Sequence, residues 1–182
     1  MPFPLETPRL VIRQFTFSDL APFHTYRNDP QVAQYQGWDV PYSREKAFEF
    51  IDEMKKATPG TPGEWFQAAV VRKDNNQMIG DVAFHIMRSD SRQAYIGYTL
   101  SRAAWGQGYA TEAIHRLLDT LFRDYKLHRV VAECDVENGA SYRLLERVGF
   151  RREAHLKENL FFKGRWSSEY HYAMLEHEWL IR

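Results

Sequence analysis

The stretch Tyr98-Thr99-Leu100-Ser101-Arg102-Ala103-Ala104-Trp105-Gly106-Gln107-Gly108-Tyr109-Ala110-Thr111-Glu112-Ala113 reads as a strand, a short turn and the start of a helix. Gly106 and Gly108 admit backbone dihedrals closed to other residues and let a ligand approach the main chain. The first amides of a helix have no internal acceptor, and the helix dipole is positive there. Free N–H groups beside two glycines make a site for a pyrophosphate. Taken alone, the segment reads equally well as a tight strand-to-helix turn. A dinucleotide-binding fold fits poorly, because only two glycines occur and the helix follows three strands that read as hairpins. The lysine and hydroxyl pair of a nucleotide phosphate loop is missing.

Downstream, the helix carries Ala113, Ile114, Leu117, Leu118, Leu121 and Phe122 three or four residues apart, an amphipathic stripe. A β-branched strand over 129–136 follows. A helix then opens at Asn138, turns Leu144, Leu145 and Val148 inward, and stops at Gly149, where a left-handed residue ends it. Upstream, 9–14 reads as a first strand, with Leu10 and Ile12 alternating. Thr16 or Ser18 caps a helix that ends near Asn28-Asp29-Pro30, and Ser43 opens a second with Ala47, Phe50, Ile51 and Met54 on one face. Strands are expected over 65–72, 78–87 and 95–100, and two closing strands over 151–156 and 168–176. Thr58-Pro59-Gly60-Thr61-Pro62-Gly63 is a loop too short to divide domains. The expectation is one domain over 1–182: a seven-stranded mixed sheet with helices on both faces.

The 182 residues suffice for such a domain, with 44% hydrophobic and 26% charged residues. Lysine plus arginine equals aspartate plus glutamate, 24 each, so total charge argues for neither nucleic acid nor an anionic membrane. One cysteine, Cys134, excludes an internal disulfide, and no Cys/His cluster has metal-ligand spacing. No apolar run is long enough to span a bilayer, and the first residues lack a basic start and apolar core, so the expected setting is cytoplasmic.

Two segments together are specific. Trp105-Gly106-Gln107-Gly108-Tyr109-Ala110-Thr111-Glu112-Ala113, followed by Asn138-x-x-Ser141 and Leu145-Glu146-x-x-Gly149-Phe150, resembles the GNAT superfamily of N-acetyltransferases. The likeness is to the branch typified by the RimJ/RimL ribosomal-protein N-terminal acetyltransferases. The segment Leu5-Glu6-Thr7-Pro8-Arg9-Leu10-Val11-Ile12-Arg13 resembles the opening strand of that branch too. The resemblance implies an α/β (α+β), mostly antiparallel, seven-stranded sheet with a splay between its fourth and fifth strands. Acetyl-CoA would sit there as co-substrate, without a metal. The main chain of Tyr98, Thr99 and Leu100 would hold the pantetheine arm, and Gly106, Gln107, Gly108, Tyr109, Ala110 and Thr111 the pyrophosphate. Asn138 would touch the pantetheine, and Arg143 would reach the phosphates or the adenine. Trp105 departs from the Arg or Gln common at that position. Homodimers are also an implication of the likeness.

Acetyl transfer requires a neutral amine, stabilisation of the oxyanion and a proton for the thiolate. Many members place a proton-donating tyrosine seven residues after the asparagine; here that residue is Leu145, which has no proton to give. Ser141 is the replacement, with Asn138 beside it, and Tyr142 is second choice; Ser141 merely satisfying helix amides is the alternative. Glu133, Asp135, Glu158 and Glu169 are the carboxylates at hand, and none is assigned as base. Of seven scattered histidines, His85 alternates with Phe84 near the expected cleft. Tyr35-Gln36-Gly37-Trp38 is a candidate acceptor wall, and Cys134 reads as a packed small residue.

A lysine amine, with pKa about 10.4, is neutral in roughly one molecule per 2,500 at pH 7, whereas an α-amine near 8 is neutral in roughly one per ten. The leading expectation, implied by the resemblance to the ribosomal-protein branch and asking less of a base, is acetylation of a protein N-terminal α-amine. The alternatives are a small amine (polyamine, amino acid or aminoglycoside) and a non-catalytic acyl-CoA sensor.

Overall fold

The computed structural model describes residues 3–181. Its centre is one eight-stranded sheet in the order β1-β2-β3-β4-β5-β6-β8-β7. The strands are β1 (Leu5–Glu6), β2 (Leu10–Arg13), β3 (Trp65–Arg72), β4 (Met78–Ile86), β5 (Gln93–Leu100), β6 (Arg129–Asp135), β7 (Arg151–Phe162) and β8 (Arg165–Leu175). The helices are α1 (Leu20–Arg27), α2 (Pro30–Ala33), α3 (Arg44–Lys56), α4 (Tyr109–Arg123), α5 (Gly139–Val148) and α6 (Glu176–Leu180).

Every strand pair is antiparallel except β5 with β6. That parallel pair is short: Gln93, Ala94 and Tyr95 meet Arg129, Val130 and Val131, and there the register ends. Beyond it β5 runs on to Leu100 while β6 runs on to Asp135, so the two strands splay apart. These are the fourth and fifth strands of the sequence reading, renumbered because the two-residue β1 precedes them.

The stripe read from α4 is buried to 0% exposure at Ala113, Ile114, Leu117, Leu118, Leu121 and Phe122. It packs with α5 and with Val82, Phe84 and Ile86 on one sheet face. On the other face, α1 and α3 bury Phe23, Ala47, Ile51 and Met54 against Ala69 and Val71. Caps fix the helix starts. Ser43 accepts from the Lys46 amide, and the Asn138 side chain accepts from the Ser141 amide. Gly149 closes α5 at φ 99°.

The structure revises four expectations. The sheet has eight strands rather than seven. Asn28-Asp29-Pro30 does not merely end a helix: Asp29 caps α2, with Pro30 in its first turn. The closing strands extend well past 156 and begin before 168, forming a long hairpin. Its β7 is exposed almost throughout, so it lacks the buried alternation that marks a strand in sequence. Finally, Glu176 starts a helix instead of ending a strand.

Candidate active site

A cleft of about 660 Å³ opens where β5 and β6 part, between the starts of α4 and α5. Gly106 and Gly108 hold the loop in left-handed conformations, φ 73° and 80°, and Gly108 is the N-cap of α4. The unsatisfied amides of that first turn thus face a common wall with the start of α5.

The cleft is lined by Tyr98, Thr99 and Leu100 of β5, by Gly106, Gly108, Tyr109, Ala110 and Thr111 of the loop and α4, and by Asn138, Ser141 and Arg143. Gln107 does not line it. Its side-chain amide donates to the Ala103 carbonyl at 2.7 Å, which turns it away from the cavity. Trp105 also lines the cleft, and its indole N–H donates to the Leu100 carbonyl at 2.9 Å.

The loop is braced from behind. Glu112, in the first turn of α4, accepts from the Thr7 hydroxyl at 2.6 Å, the Arg9 amide at 2.9 Å and Arg9 Nε at 2.6 Å. Arg9 also donates to the Gln107 carbonyl at 3.0 Å and lies 4.4 Å over the Tyr109 ring. Burial raises the Glu112 carboxyl, but the hydrogen bonds from Thr7 and Arg9 and the Arg9 charge outweigh it and hold it below its ordinary range.

At the start of α5, Ser141 Oγ stands 2.7 Å from the Tyr98 phenolic oxygen. Burial pushes that phenol well above its ordinary range, so it stays protonated. Cys134 lies beside them, its thiol pushed up to about 11 by burial against the opposing influence of Ser141 and Arg152. It is an inert packed thiol. Tyr142 turns the other way, its ring 5.9 Å from Tyr170 in a T-shaped pair. Leu145 is fully buried in the core.

Among the described residues no carboxylate and no histidine lines the cleft, and the charged residues on its lining are Arg143 and Arg147. Glu133 and Glu169 flank His171 across β6 and β8, at 3.7 and 3.9 Å, away from that lining. Glu158 sits in the β7–β8 hairpin, where its amide donates to Ser168 Oγ at 2.9 Å. His85 packs against Trp65 and Tyr95 on β3 and β5, also away from the cleft. Of the expected acceptor wall, Tyr35 and Gln36 line the cavity, while Trp38 stacks 3.9 Å from the buried Arg27 guanidinium. Tyr35 also donates to the Glu137 carbonyl at 3.2 Å, and Lys163 at the hairpin tip donates to the Ala33 and Trp38 carbonyls at 2.6 and 2.7 Å. These contacts join α2 and the segment after it to the start of α5 and to the β7–β8 hairpin.

Sequence reasoning missed Gln31 and Gln34, because α2 was hidden behind Pro30. It also missed Arg147, one helical turn after Arg143 on the same face, a spacing that carried the signal. Among the described residues no cluster of His, Cys, Asp and Glu gathers to hold a metal, and no helix is long and apolar enough to cross a membrane.

Comparison with known proteins gives a consistent picture. Residues 9–151 match the acetyltransferase (GNAT) domain family. An uncharacterized N-acetyltransferase of Bacillus subtilis, YnaD, is 33% identical over 175 residues, covering 96% of this chain and 98% of its own. The spermidine N(1)-acetyltransferase of Vibrio cholerae is 26% identical, covering 96% and 97%. The ribosomal protein uS5-alanine N-acetyltransferase of Escherichia coli is 27% identical over 118 residues, covering 64% and 61%. A GNAT-family acetyltransferase structure from Bacillus anthracis superposes with TM-score 0.85 at 32% identity, covering 96% and 99%.

Proposed function

The chain belongs to the acetyltransferase (GNAT) family and is an acetyl-CoA-dependent N-acetyltransferase, and we propose on that premise that its acceptor is the α-amine of a protein N-terminus. The observation that carries this reading is the cleft's lining, which holds two arginines and neither a carboxylate nor a histidine. With no base along that lining, the acceptor that asks least of the site is one that is neutral on its own. An α-amine does so in roughly one molecule in ten at pH 7, and a lysine or polyamine amine in roughly one in 2,500.

The same lining suits the donor. Anionic phosphates find the α4 amides, with Arg143 and Arg147 opposite, and no acidic side chain opposes them. Acetyl-CoA supplies the thioester carbonyl that the amine attacks. Asn138 spends its carbonyl oxygen on the Ser141 amide at 3.1 Å, leaving its amide N–H groups for the pantetheine arm. Main-chain N–H groups of β5 past Tyr95 supply the oxyanion donor, a kind of contact worth about 2.7–4 kcal/mol. Ser141, backed by the Tyr98 hydroxyl, protonates the departing thiolate.

A second reading, a polyamine acceptor, has its own observation: Glu133 and Glu169 flank His171 on strands β6 and β8. Carboxylates there would anchor a polycation. The test is a panel assayed by CoA release: tetrapeptides with a free α-amine, the same peptides N-blocked with an internal lysine, and spermidine. The free α-amines should lead in kcat/KM by at least tenfold. Preference for spermidine would move the assignment to the second reading, and preference for lysine would reject both.

A further inference from the structure

We propose that Arg9 is a positioning residue for the donor, acting through the peptide plane between Gln107 and Gly108. This rests on the reading of the glycine loop as the pyrophosphate cradle. The observation is a carbonyl held on the wrong side for a ligand: the Gln107 oxygen accepts from Arg9 at 3.0 Å, behind the loop. The 107–108 peptide bond is trans, as the cis bonds among the described residues are both at prolines elsewhere. In a trans peptide the carbonyl and the following N–H point in opposite directions. Fixing the Gln107 oxygen outward therefore aims the Gly108 N–H inward, into the cleft that Gly108 lines.

Glycines need that outside restraint. Gly106 and Gly108 turn as easily one way as the other, so the loop's sequence does not select this orientation. A flipped plane would present a carbonyl dipole to the phosphates. Arg9 is suited to prevent it. Nε and the main-chain amide are fixed by Glu112, whose other donor is Thr7, and a second arm of the guanidinium is left for Gln107. Arg9 does not itself line the cleft.

The test compares acetyl-CoA with S-acetylpantetheine, a donor without the pyrophosphate, in wild type and Arg9→Met. For acetyl-CoA the variant should raise KM about tenfold, the size of one lost charge-assisted hydrogen bond, with kcat within about twofold. For S-acetylpantetheine its KM should stay within about twofold of wild type, because the restrained N–H has nothing to meet. Arg9→Lys keeps the charge but not the fork, and should show the same split even if the Met variant folds poorly. Equal losses on both donors, or an unchanged KM for acetyl-CoA, would overturn the role of Arg9. A wild type that uses both donors equally would instead overturn the cradle reading beneath it.

Discussion

The Ser141 hydroxyl lies 2.7 Å from the Tyr98 phenolic oxygen, so the first turn of α5 is joined to the strand that borders the splay. If Ser141 donates the proton, Ser141→Ala should lower kcat by about 10²-fold or more, the range general acids supply. Tyr98→Phe removes only the backing hydroxyl and should cost about tenfold or less. Both should leave the KM for acetyl-CoA nearly unchanged. Wild-type kcat in Ser141→Ala, measured by CoA release, would reject the assignment.

Leu145 occupies the place where many relatives carry a tyrosine acid, and it is fully buried. Leu145→Tyr should therefore not rescue Ser141→Ala. A phenol forced into that packed position should destabilise the fold by about 1–3 kcal/mol, read by urea denaturation. Recovery of kcat in the double variant would show that the position opens onto the thiolate after all.

The features that could be read from sequence were those carried by local periodicity or by a cap. Six positions of α4 keep a helical spacing, and Asn138 and Gly149 bracket α5 with the residues such ends require. The remainder lacked a local signature. β1 is two residues long, α2 starts at a proline, and β7 has no buried face to set a pattern. Tyr98 was read for its main chain alone. Its hydroxyl partner lies 43 residues away, a pairing that no spacing rule reports. The bracing of the loop by Arg9 is of the same kind.

Gly80 lies beneath the cleft floor, at the β3–β4 irregularity. A Cβ there would meet the Thr99 carbonyl oxygen at 2.2 Å and Leu100 Cα at 2.8 Å. Both neighbours belong to β5 and line the cleft, so the backbone has to move. Gly80→Ala should cost roughly 3 kcal/mol and raise the KM for acetyl-CoA. Gly106→Ala meets nothing within 4 Å and carries only the left-handed backbone strain, about 1–2 kcal/mol. Equal stability losses in urea would contradict this contrast.

Asp81 is buried at 1% exposure, bonded by Tyr26 and Gln67. Burial raises its carboxyl above the ordinary range, only partly countered by the Arg27 charge and those two bonds. A raised folded pKa means stability present below the unfolded value and lost as pH rises through the folded one. Asp81→Asn removes that loss. Its stability relative to wild type, from urea titrations, should improve as pH rises above the ordinary carboxylate value of about 3.9 and level off once pH passes the raised folded value. A pH-independent difference, or one that shrinks, would contradict the raised carboxyl.

The brace behind the glycine loop spans 98 to 105 positions of chain. Such closures are slow, because the entropy of a long loop must be surrendered before the contact rewards it. The segment containing Thr7 and Arg9 leaves the ribosome before Glu112 does, and four strands and three helices lie between them. If the brace orients the donor's cradle as proposed, full affinity for the donor is acquired late in folding, and a nascent chain whose helices are already formed would still hold its co-substrate more weakly.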